Sequence, residues 1–140
     1  MQERPLTDQQ KEQIRMNLES GMKLIRSKHP DLDVNDTGKI VRYLSLEMAS
    51  DAIFLPEAAA VLSHCIENAA GWKTVTLSGD RFTGTAVVSP DGAYAAYPEL
   101  VAGKASRDPE NHSLLSFFHM IKSGSLPPSS PGGYTVLSTG

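Results

Sequence analysis

The sequence predicts an α+β domain with N-terminal helices, a three-stranded antiparallel β-meander and a C-terminal helix. Three observations carry this reading. Apolar residues recur at helical spacing through the first half of the chain, and the period switches to two at Lys73. Ser89-Pro90-Asp91-Gly92 then supplies a turn between two strand-like runs, with Pro90 preset for a type I bend and Gly92 free to take positive φ. Residues 1–124 are expected to form the single domain, and 125–140 a Pro/Gly/Ser-rich tail with room for a short edge strand at 134–138.

Thr7-Asp8-Gln9-Gln10 fits a capping box, in which the Thr7 hydroxyl and the Gln10 side chain each satisfy a free backbone N–H. A helix is expected over 7–28, with Ile14, Leu18, Met22 and Ile25 on one side and His29-Pro30 as its stop. After a turn cluster at 31–38, the run 40–48 satisfies helical and strand periods almost equally. It is read as a helix that Asp36 can cap. Pro56, Glu57 and Gly71 frame the next helix. Ala58, Leu62, Cys65, Ile66 and Ala69 share one of its faces, and Glu57, His64, Glu67 and Asn68 share the other.

In the meander, Val75 and Leu77 alternate with Thr74 and Thr76, and Phe82, Ala86 and Val88 alternate with Thr83, Thr85 and Val87. The turns at 78–81 and 89–92 suggest a register with Thr76 opposite Thr83, Thr74 opposite Thr85, and Tyr97 beside Thr85. The helices would then cover the Val75, Leu77, Phe82, Ala86 and Val88 face and leave the threonines in water. Residues 98–106 read as a loop. Asp108-Pro109-Glu110 reads as a helix start, followed by a helix to Lys122 that packs through Leu114, Phe117, Phe118 and Ile121 and ends at Gly124.

A chain of 140 residues with 40% hydrophobic and 21% charged residues can bury a core without staples. Its formal charge of -3 gives no general attraction to phosphate backbones or anionic lipid, so nucleic acid is not the favoured partner. Cys65 has no second cysteine to bridge, the first residues have no apolar signal-peptide core, and no run approaches the roughly 18 apolar residues of a membrane helix. A cytoplasmic location is expected, with export by a signal-independent secretion system equally compatible.

Several short patterns resemble chemistry and fail on spacing. Asp36-Thr37-Gly38 has the tripeptide of an aspartic protease but Asn35 and Lys39 flank it, so a capping turn explains it better. Asp31, Asp33 and Asn35 have the alternate spacing of a calcium loop, yet Arg42 stands where the bidentate glutamate belongs. His64 and Cys65 diverge by about 100° on a helix. Arg15, Lys23, Arg26 and Lys28 interleave with Glu12 and Glu19, which describes a solvated helix face. There is no Walker pattern and no GxGxxG, and neither a cofactor nor a metal is expected.

Two constellations remain. His112, Ser116 and His119 would share one stripe of the last helix, and His112 and His119 are the candidate catalytic pair. Thr74, Thr76, Thr83 and Thr85, with Val87 and Tyr97, would form a flat surface of hydroxyls and methyls suited to a protein partner. An open edge at 93–97 could accept a partner strand unless 134–138 occupies it. The favoured expectation is a small non-enzymatic protein-binding module of the inhibitor, immunity, adaptor or chaperone kind. The alternatives are a small hydrolase or transferase using His112 and His119, and a nucleic-acid accessory protein acting through the first helix. No residue pattern addresses partner identity, substrate or oligomeric state.

Overall fold

The computed structural model describes residues 1–139. Its helices begin where side chains can satisfy free backbone groups. Thr7 Oγ1 accepts from the Gln10 N–H at 3.1 Å, and Gln10 Oε1 accepts from the Thr7 N–H at 2.8 Å, which starts α1 (Asp8–Lys28). Asp36 Oδ1 accepts from the Lys39 N–H and starts α2 (Thr37–Ala49). The ambiguous run becomes helix because Ile40, Leu44 and Met48 fall four residues apart on a buried face. In α3 (Leu55–Ala70), Ala58, Val61, Leu62, Cys65 and Ile66 are buried, and Gly71 ends the helix at φ 73°. Gly21 lets α1 approach α3: a Cβ there would lie 2.8 Å from Val61 Cγ2.

Residues 98–106, expected as a loop, form most of a further helix, α4 (Pro98–Arg107). Pro98 at its start, Glu99 in the first turn and Lys104 and Arg107 in the last follow ordinary helix grammar, and Val101, Ala102 and Ala105 are buried. Asp108 ends this helix rather than starting the next. Ser113 instead caps α5 (Leu114–Ser123), accepting from the Ser116 N–H at 3.1 Å, and Gly124 stops it at φ 74°.

The α+β class therefore holds, with five helices and a five-stranded mixed sheet among the described residues. Strands β1 (Gln2–Arg4), β2 (Lys73–Ser78), β3 (Thr83–Val88), β4 (Tyr94–Ala96) and β5 (Thr135–Val136) lie side by side in that order. The expected three-stranded meander is the antiparallel centre of this sheet. β1 adds to one edge antiparallel, and β5 covers the β4 edge in parallel. No helix among the described residues is long and apolar enough to cross a membrane.

The register differs from the expectation in two ways. Thr76 pairs with Thr85, Thr74 with Val87 and Ser78 with Thr83, a shift of two residues. The first hairpin closes with Gly79 N–H donating to the Phe82 carbonyl, so Phe82 belongs to the loop and its ring folds over Gly84. A shift of two preserves the faces. The second difference does not: Val88 pairs with Ala95 and Val87 with Ala96, which places Tyr97 on the side opposite Thr85. Here the turn holds one more residue than expected, with Gly92 at φ 76°.

The sides of the sheet are also reversed. The helices cover the threonine side: Val87 and Ala96 join the main core around α3, the Thr74 hydroxyl donates to Glu67, and the Thr76 hydroxyl faces Gln10 Oε1 at 3.4 Å. Val75, Leu77, Ala86, Val88, Ala95 and Tyr97 form a second buried cluster, separate from the helical core, with Tyr134 packed on it. Tyr134, which leads into β5, donates a hydrogen bond to Glu3 in β1, the opposite edge. Five flat strands would hold these edges about 19 Å apart, farther than the two side chains reach together. The sheet is therefore curled with the apolar side concave. Alternation failed to identify the core side because both sides are buried.

Candidate functional site

The last helix does not assemble the histidine stripe. Because Ser113 is the cap, His112 lies before α5, its Nδ1 2.7 Å from the Thr139 carbonyl oxygen and 3.0 Å from the Thr139 hydroxyl. Ser116 and His119 remain together on the exposed side of α5. His112 and His119 line different recesses, so the structure does not bring them to one substrate position. Among the described residues there is no group of three or more His, Cys, Asp or Glu placed to hold a metal.

The threonines are divided. Thr83 is exposed, Thr74 and Thr85 are half-buried and Thr76 is buried. Tyr97 is 5% exposed, its hydroxyl donates to the Leu77 carbonyl at 3.2 Å, and burial raises its pKa. The expected flat surface of Thr74, Thr76, Thr83, Thr85 and Tyr97 is thus not a continuous solvent face, because α1 and α3 lie over part of it and Tyr97 is on the other side. The 93–97 edge is closed as well, with Thr135 N–H donating to Ala93 O and Leu137 N–H to Ala95 O, both at 2.8 Å.

The other sequence patterns take structural roles. Asp36 is a helix cap, and Asp33 Oδ1 accepts from the Asn35 N–H in a local turn. Cys65 is fully buried, and burial pushes its thiol up to about 12, while His64 pairs with Asn68 instead. Arg15 is bound by both Glu12 and Glu19, which ties one cation of the basic face of α1 to its own helix.

One polar cluster had no local signal in the sequence. Glu47 is buried on α2; its Oε1 is 3.1 Å from His29 Nε2, and its Oε2 is 3.3 Å from Lys28 Nζ without hydrogen-bond geometry. The His29 ring stacks on Tyr43 with centroids 3.9 Å apart. This arrangement pins the end of α1 to α2.

Two of the concave surfaces lie where several elements meet. The first is a cleft of about 170 Å³ between α1, α3, β3 and the start of α4, with Gln13 and Asn17 on one wall, Ala59 and Ala60 on another, and Thr85 from the sheet. The second is a groove of about 220 Å³ where α2, α3 and α4 meet, lined by Met48, Ile53, Phe54, Leu55, Gly103 and Arg107. Asp51 at φ 58° makes the turn that precedes it, and Phe54 is 77% exposed. A neighbouring recess shares Met48 and adds Leu46, 53% exposed, together with Leu115 and Arg42. The groove was missed in the sequence because it depends on α4, whose residues read as a loop.

Compared with known protein families, curated proteins and solved structures, the chain matches none.

Proposed function

We propose that this chain is a small non-enzymatic protein-binding module that docks an apolar segment carrying carboxylates, presented by a partner protein, in the groove around Phe54. The supporting observation is the position of Phe54 itself. A phenylalanine 77% exposed at the start of a helix leaves most of its ring in water. Covering such a ring is worth about 2 kcal/mol, and aromatic anchors beside recesses dominate binding at protein interfaces. Met48, Ile53 and Leu55 continue the apolar surface into the groove, and exposed Leu46 extends it along α2.

Charge selects the partner. Arg107 lines the groove and Arg42 the adjoining recess; both are exposed, and neither forms an ion pair among the described residues. Asp51 is the carboxylate in the groove lining. Two guanidinium forks flanking an apolar strip favour a segment with Asp or Glu beside its apolar anchors. Inhibitor, immunity, adaptor and chaperone proteins all work by such capture, and the groove does not choose among them.

The test is to pan a displayed random-peptide library against the full chain. Selected peptides are expected to combine apolar anchors with an excess of Asp and Glu, and to bind the Phe54→Ser and Arg107→Glu variants about tenfold or more weakly. Peptides without an acidic excess, equal binding to both variants, or no selectable peptide would each overturn the proposal.

A further inference from the structure

We infer a second, independent site: the cleft over Thr85 binds a neutral, single-ring small molecule that carries a carboxamide or an equivalent lactam edge. The size of the cleft suits one ring. A cavity near 150 Å³ accommodates a benzene-sized ring, and this cleft is about 170 Å³. Ile14, Pro56, Ala59 and Ala60 supply apolar surface for the ring without filling the space.

The charge of its lining suits a neutral ligand. No lysine or arginine lines the cleft, and its only ionisable side chain is Glu99, exposed at the start of α4. An anion placed there would lose water, gain no cation and sit near a carboxylate. Phosphate and carboxylate ligands are therefore disfavoured.

Its hydrogen-bonding groups suit an amide. Gln13 Nε2 donates to Asn17 Oδ1 at 3.3 Å, which leaves Gln13 Oε1 as an acceptor and Asn17 Nδ2 as a donor without partners among the described residues. Gln10 Oε1 is occupied by the Thr7 N–H, which leaves Gln10 Nε2 as a further donor. The Ser63 hydroxyl donates to the Ala59 carbonyl, which leaves its oxygen as a further acceptor. The free groups thus comprise both donors and acceptors, which a primary amide answers with its own carbonyl and NH₂. Beside Thr85 the cleft admits a ligand much smaller than a protein surface.

Benzamide and benzoate make the test, since they share a ring and differ in charge. Nitrogen-15-labelled full-length chain is titrated with each, up to about 10 mM, the range suited to so small a ligand. Benzamide is expected to shift the resonances of Gln13, Asn17, Ala60 and Thr85, and benzoate to bind at least about tenfold more weakly. Ala59→Leu should abolish the benzamide shifts, and Phe54→Ser should leave them unchanged, which separates this site from the peptide groove. If Ala59→Leu does not fold by circular dichroism, Asn17→Leu takes its place, with the same loss expected. Absence of benzamide shifts at these residues, equal binding of benzoate, or full binding by a folded cleft variant would overturn the inference.

Discussion

Cys65 shows how a side chain's surroundings override its chemistry. It sits on the buried face of α3, and burial pushes its thiol up to about 12. At pH 8 the thiolate fraction is then on the order of 10⁻⁴, and that residue is shielded from reagents. The native chain is expected to resist iodoacetamide at pH 8 and to become fully alkylated in denaturant, as read by mass spectrometry. Rapid labelling of the native protein would contradict the burial. This residue was legible in the sequence, because helical spacing alone put Cys65 on the apolar face and His64 off it. So were the Thr7 and Asp36 caps, whose partners lie three residues away. Glu47 was not, since its partner His29 is eighteen residues distant and local spacing carries no record of that contact. The separation of His112 from His119 has a related cause. Two sequences competed to start the last helix, and Ser113 prevailed over Asp108-Pro109-Glu110 once Asp108 was already engaged at the end of α4.

Among elements, the tightest junction is the approach of α1 to α3 at Gly21, which is buried between them. Alanine there would gain about 1 kcal/mol in helix propensity but would press on Val61 Cγ2 and, at 3.2 Å, on the Glu57 carbonyl oxygen. Overpacking of this kind costs about 1–3 kcal/mol, more when a backbone atom must yield. Gly21→Ala is expected to lower stability by a net of about 1 kcal/mol in urea denaturation. Equal or greater stability would show that α1 can step back freely. The existence of α1, α2, α3 and the central strands was readable because each carries its own period and caps. Helix α4 was overlooked although Pro98-Glu99 repeats the Pro56-Glu57 pattern, since its small buried residues, Ala102, Gly103 and Ala105, make a faint apolar stripe. Register depended on loop length, and Phe82 looked like a strand residue while serving as a lid over Gly84, its ring edge-on to Tyr97 at 4.8 Å.

Across the whole molecule, the contact that the local pattern could not foretell is the hydrogen bond from Tyr134 to Glu3. It holds the Glu3 carboxyl below its usual range, with Lys73 assisting, and pushes the Tyr134 phenol up to about 12. The lowered carboxylate pKa contributes stability that is complete above the ordinary value and lost as pH falls through the folded one. The raised phenol pKa contributes stability that is complete below about pH 10 and lost on the way to about 12. Thermal melts should therefore show the advantage of the native chain over Tyr134→Phe to be largest near neutrality and to shrink below about pH 4 and above about pH 10. A constant difference across that range would remove the clasp as its cause. The helical half and the antiparallel strands were each suggested by period, but the side of the sheet that meets the helices is set by contacts between elements, Thr74 with Glu67 and, 66 residues apart, Thr76 with Gln10. The clasp joins residues 131 positions apart, so the two outermost strands meet across the mouth of the curled sheet. Under tension applied through the two ends of the chain, load therefore falls first on the Thr139 contact with His112 at one end and on the three-residue strand β1 at the other, and reaches the clasp only when these yield.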